Sequence, residues 1–302
     1  MQSQLTSKSN VVWTNLQSPE PDELASFVRD TALEPVDAEF LVHNYHRPEI
    51  TVRPQYVMIL LHVPVFNRQT RVTTGAPLYI IIKENHVWTL HYEPIVVLEK
   101  CILDFQNNEE RQEEYFQSGP TGLALYVLNV LLGSAFNKLD RLNKHINIAE
   151  DAIFNGHERK MVEEISILTR DVLDFRKIIR PQLQLFASPP AHALMNATFS
   201  SQWLRLHGQV NKLWEILESL FESTRELGLT NGKLLQLKES SLLQLLTYYS
   251  ILSIPVFLFL NPINPSDPNT SLQQELIYWS VLGALVLILV TIFLRFKGKR
   301  VL

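Results

Sequence analysis

Cys101 is the one cysteine in a chain of 302 residues. An internal disulfide is therefore impossible, and so is a zinc site built on several thiolates. A reducing cytoplasm suits such a chain. Glycine is sparse, at 10 residues, and no Gly-rich loop follows a segment that reads as a strand. A nucleotide-binding phosphate loop thus has no support. No basic patch interleaved with aromatics occurs and the formal net charge is −4, so nucleic acid is not expected as a partner. No Ser-His-Asp, Cys-His or paired-carboxylate arrangement has a supporting context. The chain does not read as an enzyme, and no bound cofactor is expected. Met1–Asn10 lacks an apolar core, so no signal peptide is expected either.

The absence that organises the chain is one of charge. Leu242–Leu260 (LLQLLTYYSILSIPVFLFL) and Leu276–Leu294 (LIYWSVLGALVLILVTIFL) contain no Asp, Glu, Lys or Arg. Each is long enough for a helix rising about 1.5 Å per residue to cross a hydrocarbon core of ~30 Å. Core helices of soluble proteins are usually shorter and keep a polar stripe, so the pair reads as two membrane spans. Between them, Asn261–Glu275 holds Asp267 and Glu275 but no Lys or Arg. After the second span comes Arg295-Phe-Lys-Gly-Lys-Arg300. Positive charge stays on the cytoplasmic side. The short loop is then outside, and both termini are cytoplasmic, in an inner or plasma membrane. Tyr248, Tyr249 and Trp279 read as lipid-facing or interfacial anchors.

The rest of the chain divides in two. Residues 1–119 read as an α/β domain. Val11–Leu16, Val57–Phe66, Leu78–Ile82 and Val87–His91 are short, rich in branched and aromatic residues, and read as strands. Lys83–His86 is the hairpin turn between the last two. A helix is expected after Ser18, with Ser18 as N-cap and Pro19 at its first position. Residues 120–241 read as a helical bundle and stalk. Leu125, Leu128, Leu132, Ala135, Leu139, Leu142, Ile146, Ala149 and Ile153 form a heptad seam. Asn155-Gly156 interrupts it. A second seam follows at Met161, Ile165, Leu168, Val172, Phe175 and Ile179, and the two helices are expected to pack antiparallel. A third runs through Trp203, Leu206, Val210, Leu213, Leu217, Leu220, Thr224 and Leu227. It falters at Gly228 and Asn231-Gly232, then resumes into the first span. A near-continuous helix over 197–260 would be roughly 95 Å long. Residues 242–302 are the two-span hairpin with its basic tail.

In this order the chain resembles the CorA magnesium-channel family. Trp13-Thr-Asn-Leu16 is similar to its opening W-x-D-L, and Arg47-Pro48, Pro77-Leu78 and His91-Tyr-Glu-Pro94 to its later landmarks. Leu168-Thr-Arg170 through Pro181 resembles its LRRxLLxLRRxxWP helix. Leu246-Thr247 and Ile254-Pro255 match the first span, and Phe296–Arg300 the basic tail. The resemblance implies an α+β membrane protein with a cytoplasmic α/β domain, long coiled stalk helices and two C-terminal spans. It also implies a homopentamer in the lipid bilayer whose first spans ring a pore for a divalent cation such as Mg²⁺, transported or regulatory.

The departures matter as much. The family's Gly-Met-Asn falls on Asn264-Pro265-Ser266, its two Asn residues before the first span on Leu237 and Ser240, and a pore Thr on Phe257. The pore lining implied is Leu243, Leu246, Ile254 and Phe257, an apolar neck of the kind that gates by dewetting. At the mouth, Asn264 and Asp267 are the candidate metal-facing residues. The competing reading is a proline-rich turn. The whole chain has a competing reading too, a non-conducting scaffold acting as sensor or organiser of partners. His43-x-x-His46 has metal-pair spacing but no third ligand nearby, and reads as two surface histidines. Asp140, Glu150, Asp151, Glu158, Glu163 and Glu164 read as solvated helix faces, and Glu109–Glu114 as a solvated charge run.

Overall fold

The computed structural model describes residues 2–6, 10–42, 47–67, 69, 71–108, 116, 118–187 and 197–260, with isolated positions between 276 and 291. These form two compact units, Met1–Asn231 and Gly232–Leu302. The first unit holds a mixed sheet of six strands, β1 Gln2–Thr6, β2 Val12–Gln17, β3 Glu49–Val52, β4 Val57–Asn67, β5 Val72–Lys83 and β6 His86–His91. Their order is β1-β2-β6-β5-β4-β3, with β2 parallel to β6 and every other pair antiparallel. Successive residues of β4 and β5 point to opposite faces, yet Met58 to Leu61 and Leu78 to Ile82 are all buried. Both faces must therefore be covered. Helices α1 Pro21–Thr31 and α2 Pro35–Val42 close one, packing Phe27 and Leu41 with Leu16, Met58, Leu60, Tyr79, Ile81 and Leu90. On the other face Trp13 meets Phe105 of α3 Val96–Asn107 edge-on, and Phe105 meets Phe116 and Tyr126.

The sequence placed the helix after Ser18 two residues early. The helix begins at Pro21, with Glu20 as N-cap and the Glu20 N–H donating to the Glu23 carboxylate at 3.1 Å. Ser18 instead adopts a left-handed φ of 46° and donates its hydroxyl to the Tyr92 carbonyl at 2.6 Å. Glu84 likewise takes a positive φ, 49°, in the turn that joins β5 to β6.

The β4–β5 hairpin outruns its neighbours. Pairing with β3 stops at Leu60 and pairing with β6 begins at Leu78, so the hairpin continues to Asn67 and Val72 as a two-stranded ribbon. That explains Pro64 and Pro77 inside strands, since no third strand there requires their missing N–H.

Three long helices follow, α4 Gly119–Phe154, α5 Glu158–Phe186 and α6 Ala197–Leu260. Every residue of the first and third seams is buried, and so is the second from Ile165 onward. Phe186 packs against Trp203 with tilted rings while Asn231 reaches the start of α5, so α5 and α6 run antiparallel within the first unit. The faltering expected at Gly228 and Asn231-Gly232 does not break α6. A Cβ at Gly228 would already touch Ile165, and Asn231 is buried with its Nδ2 donating to the Glu158 carbonyl at 3.1 Å. Packing outweighs the ~1 kcal/mol that each glycine costs a helix.

Candidate functional site

Three polar clusters with buried members stand out in the first unit. Asp37 accepts two hydrogen bonds from the Arg53 guanidinium at 2.7 and 2.8 Å, and one from the Tyr56 hydroxyl at 2.5 Å. The Arg53 guanidinium holds the Asp37 carboxyl below the usual carboxylate range, while burial pushes the Tyr56 phenol up to about 12. Lys138 of α4 lies 3.3 Å from Asp171 of α5, and both share Thr73 of β5. The Phe66 and Phe175 rings flank the ammonium at 4.7 and 5.4 Å. Burial lowers the Lys138 pKa. Third, Trp13 Nε1 donates to Thr89 Oγ1 at 3.1 Å, which donates to Asn15 Oδ1 at 2.7 Å. Asn15 stands where W-x-D-L has its acid, and a neutral amide suffices as the acceptor of this buried chain.

These clusters tie separate elements of the first unit together. Among the described residues no group of three or more His, Cys, Asp or Glu is placed to hold a metal. Asp140, Glu150, Asp151 and Glu163 are exposed, Glu158 is buried, and Glu164 pairs at 2.5 Å with Arg71, the residue before β5. His43, His46 and Glu109–Glu114 lie outside the described residues. Cys101 is buried, and burial pushes its thiol up to about 12.

The second unit presents the opposite pattern. Along α6, Leu242, Leu243, Leu245, Leu246, Tyr249, Ile251 and Ile254 are exposed, Leu243 and Leu246 by 63% and 62%. Leu276, Ile277, Trp279, Val281, Val286, Leu287 and Val290 are exposed as well. So continuous an apolar surface without one charge requires a cover other than water. Three hydroxyls within it bond to the helix's own carbonyls. Thr247 donates its hydroxyl to the Leu243 carbonyl at 2.9 Å, Ser250 to that of Leu246 at 2.9 Å, and Ser253 to that of Ser250 at 2.7 Å.

By contrast α4, long and apolar enough to cross a membrane by length and composition, buries that apolar side inside the first unit. It also carries the buried Lys138, as a core helix does.

Of the residues expected to line a pathway, Leu243, Leu246 and Ile254 lie on α6 and are exposed. Phe257 is on the same helix. At about 100° per residue these four positions share one side of it. Asn264 and Asp267 lie outside the described residues. The sequence reading passed over the hydroxyls of Thr247, Ser250 and Ser253, although their spacing was available to it.

Comparisons with known proteins agree on this architecture. The chain is similar to the cobalt/magnesium transport protein CorA of Methanocaldococcus jannaschii, 22% identical over 167 residues. That alignment covers 55% of this chain and 51% of the relative, so it spans about half of the relative's length. The complete structure of the CorA magnesium transporter from the same organism superposes with a TM-score of 0.77 at 18% identity, covering 94% of this chain and 90% of that one. The full-length CmaX protein gives 0.74 at 13% identity, over 95% and 88%. The model of the family described as CorA-like Mg²⁺ transporter protein matches residues 8–297. A match over nearly the whole length means that this chain is a member of the CorA family, a family of membrane transport proteins.

Proposed function

We propose that this chain is a two-span protein of the inner or plasma membrane that assembles as a homopentamer and conducts a divalent cation, Mg²⁺ or a related ion, along a path lined by its first spans. The carrying observation is the uncharged surface of α6 from Leu242 to Ile254, apolar apart from Gln244 and its hydroxyl-bearing residues, and almost wholly exposed in a single chain. Lipid covers one side of such a helix and identical neighbours the other. The transport named for its relatives supplies the ion class. Residues 1–119 and 120–241 lie in the cytoplasm in this reading, and 242–302 form the membrane hairpin.

One specific observation favours a second reading, in which the scaffold is non-conducting and serves as sensor or organiser. Asn264-Pro265-Ser266 occupies the place of Gly-Met-Asn, so the usual mouth is absent. Flux decides. Full-length protein in tight liposomes, loaded with a divalent-sensitive dye, is expected to pass Mg²⁺, Co²⁺ or Zn²⁺ above protein-free vesicles. Tight, protein-bearing vesicles that pass none of the three would leave the scaffold reading in place.

A further inference from the structure

Between α1 and α2 the first unit carries a cleft of about 760 Å³. Pro21, Leu24, Ala25 and Val28 line it from α1, and Pro35, Ala38 and Val42 from α2. On each helix these positions follow the i, i+3, i+4, i+7 spacing, the stripe by which one helix packs against another. The inner edges of both stripes meet the core, where Leu24, Val28 and Ala38 pack. Ala25, Pro35 and Val42 stay exposed. Two stripes thus border a space that a third helix would fill. The charge around it is one-sided. Residues 19–42 hold seven carboxylates and one cation, Arg29, and so carry more negative charge than the whole chain with its −4. Arg53 engages two of the seven, Glu34 and Asp37. The other five, Glu20, Asp22, Glu23, Asp30 and Glu39, are exposed.

We propose that this cleft is the docking site of a protein partner, which enters it as a basic amphipathic helix. The apolar side of that helix lies between α1 and α2, and its Lys and Arg face the carboxylates of the rim. The walls decide for a helix. The backbone groups of α1 and α2 are bonded within those helices, so an extended peptide would find no strand edge to pair with and would give up its bonds to water. A helix brings its own bonds. Charge decides for a basic partner and against an anionic lipid surface. Little is offered to orient a small polar molecule, because Tyr92, which also lines the cleft, donates its hydroxyl to the Leu41 carbonyl at 2.5 Å. A bare metal ion would meet too few oxygens among these apolar side chains. The site is built from residues 19–42 and Tyr92, so the proposal stands whether or not the chain conducts.

The test uses full-length protein in uncharged detergent and a synthetic helix of Leu, Ala and Lys with its leucines on one face. An environment-sensitive dye is attached at Val42→Cys, or at Leu103→Cys on α3 as the control. Both positions are exposed, and the buried Cys101 does not compete for the dye. The dye at 42 should shift to the blue and saturate, and the dye at 103 should not, although both proteins carry the same micelle. Filling the cleft with Ala25→Trp, or reversing its rim with Asp30→Lys and Glu39→Lys together, should weaken binding about tenfold. The same peptide with Glu for Lys should not bind, and raising salt from about 20 to about 200 mM should weaken the Lys peptide. Circular dichroism melts confirm that the variants fold. Equal responses at 42 and 103 overturn the site, and so does wild-type affinity in either the filled or the reversed variant. A blue shift at 42 without peptide that vanishes when residues 295–302 are removed makes the chain's own basic tail the occupant. One that grows with protein concentration makes it a second copy, and either result overturns the separate partner.

Discussion

At the scale of the residue, the firmest expectation concerns Asp37. Its carboxylate is buried, 1% exposed, and every bond it accepts favours the charged form. Replacing it by Asn leaves the Arg53 guanidinium and Tyr56 hydroxyl with a weaker partner and should cost about 2 kcal/mol, read from chemical denaturation. The pH dependence follows from the lowered pKa. Asp37 is deprotonated in the folded chain at pH values where the unfolded chain, with a carboxyl near ~3.9, takes up the proton. Its contribution is fully present above about pH 4 and is lost as pH falls through the folded value. Asp37→Asn should therefore flatten the acid limb of the stability curve. An equally steep limb in the variant would show that other carboxylates govern acid unfolding. None of this was legible beforehand, because Asp37, Arg53 and Tyr56 come from a helix, a strand end and a loop with no shared period.

At the scale of the element, the long helices were legible and the small domain was legible only in part. The seams repeat over many turns, and repetition survives local exceptions such as Gly228. The strands β4, β5 and β6 were found from their branched and aromatic residues, though β5 begins six residues before the expected Leu78. The edge strands β1 and β3 and the helices α2 and α3 escaped notice. Edge strands are short and mixed in polarity, and α2, with eight residues, is too short for a period. The ribbon of β4 and β5 was hidden by Pro64 and Pro77, which argue against a strand unless its neighbours are known to stop. That ribbon carries Thr73 to Lys138 and Asp171, and the buried pair yields a two-step prediction. Asp171→Leu alone strands the Lys138 ammonium and should cost about 3–5 kcal/mol. Adding Lys138→Met should restore most of the loss, because two apolar side chains in that space leave no unpaired charge. Denaturation midpoints of the two variants give the comparison. A double variant no more stable than the single one would mean that the pair holds the ribbon in a way that packing cannot replace.

At the scale of the whole molecule, topology and selectivity are linked, since a filter has a sidedness. The proposed orientation rests on the Lys- and Arg-free segment before Leu276 and the four cations from Arg295 to Arg300. A Ser271→Cys variant should react with an impermeant thiol reagent applied outside intact cells, and a Lys299→Cys variant should not. The reverse labelling would invert the assignment of every other residue. In the proposed orientation Asn264 and Asp267 would stand at the outer mouth, and the proposal gives them different roles. An amide oxygen accepts hydrogen bonds from an ion's bound water, so Asn264→Ala should narrow the difference between Mg²⁺ and Co²⁺ flux. In the proposed pentamer a ring of Asp267 carboxylates would concentrate cations without choosing among them. Asp267→Asn should then lower flux more at 10 mM salt, where the Debye length is ~30 Å, than at 150 mM, where it is ~8 Å. Pro262 and Pro265 beside them fix φ and remove two donors, which suits a rim that presents oxygen to cations. Identical ion discrimination in the wild type and Asn264→Ala would take this residue out of the filter. Selection would then rest on the proposed apolar neck between Leu246 and Phe257.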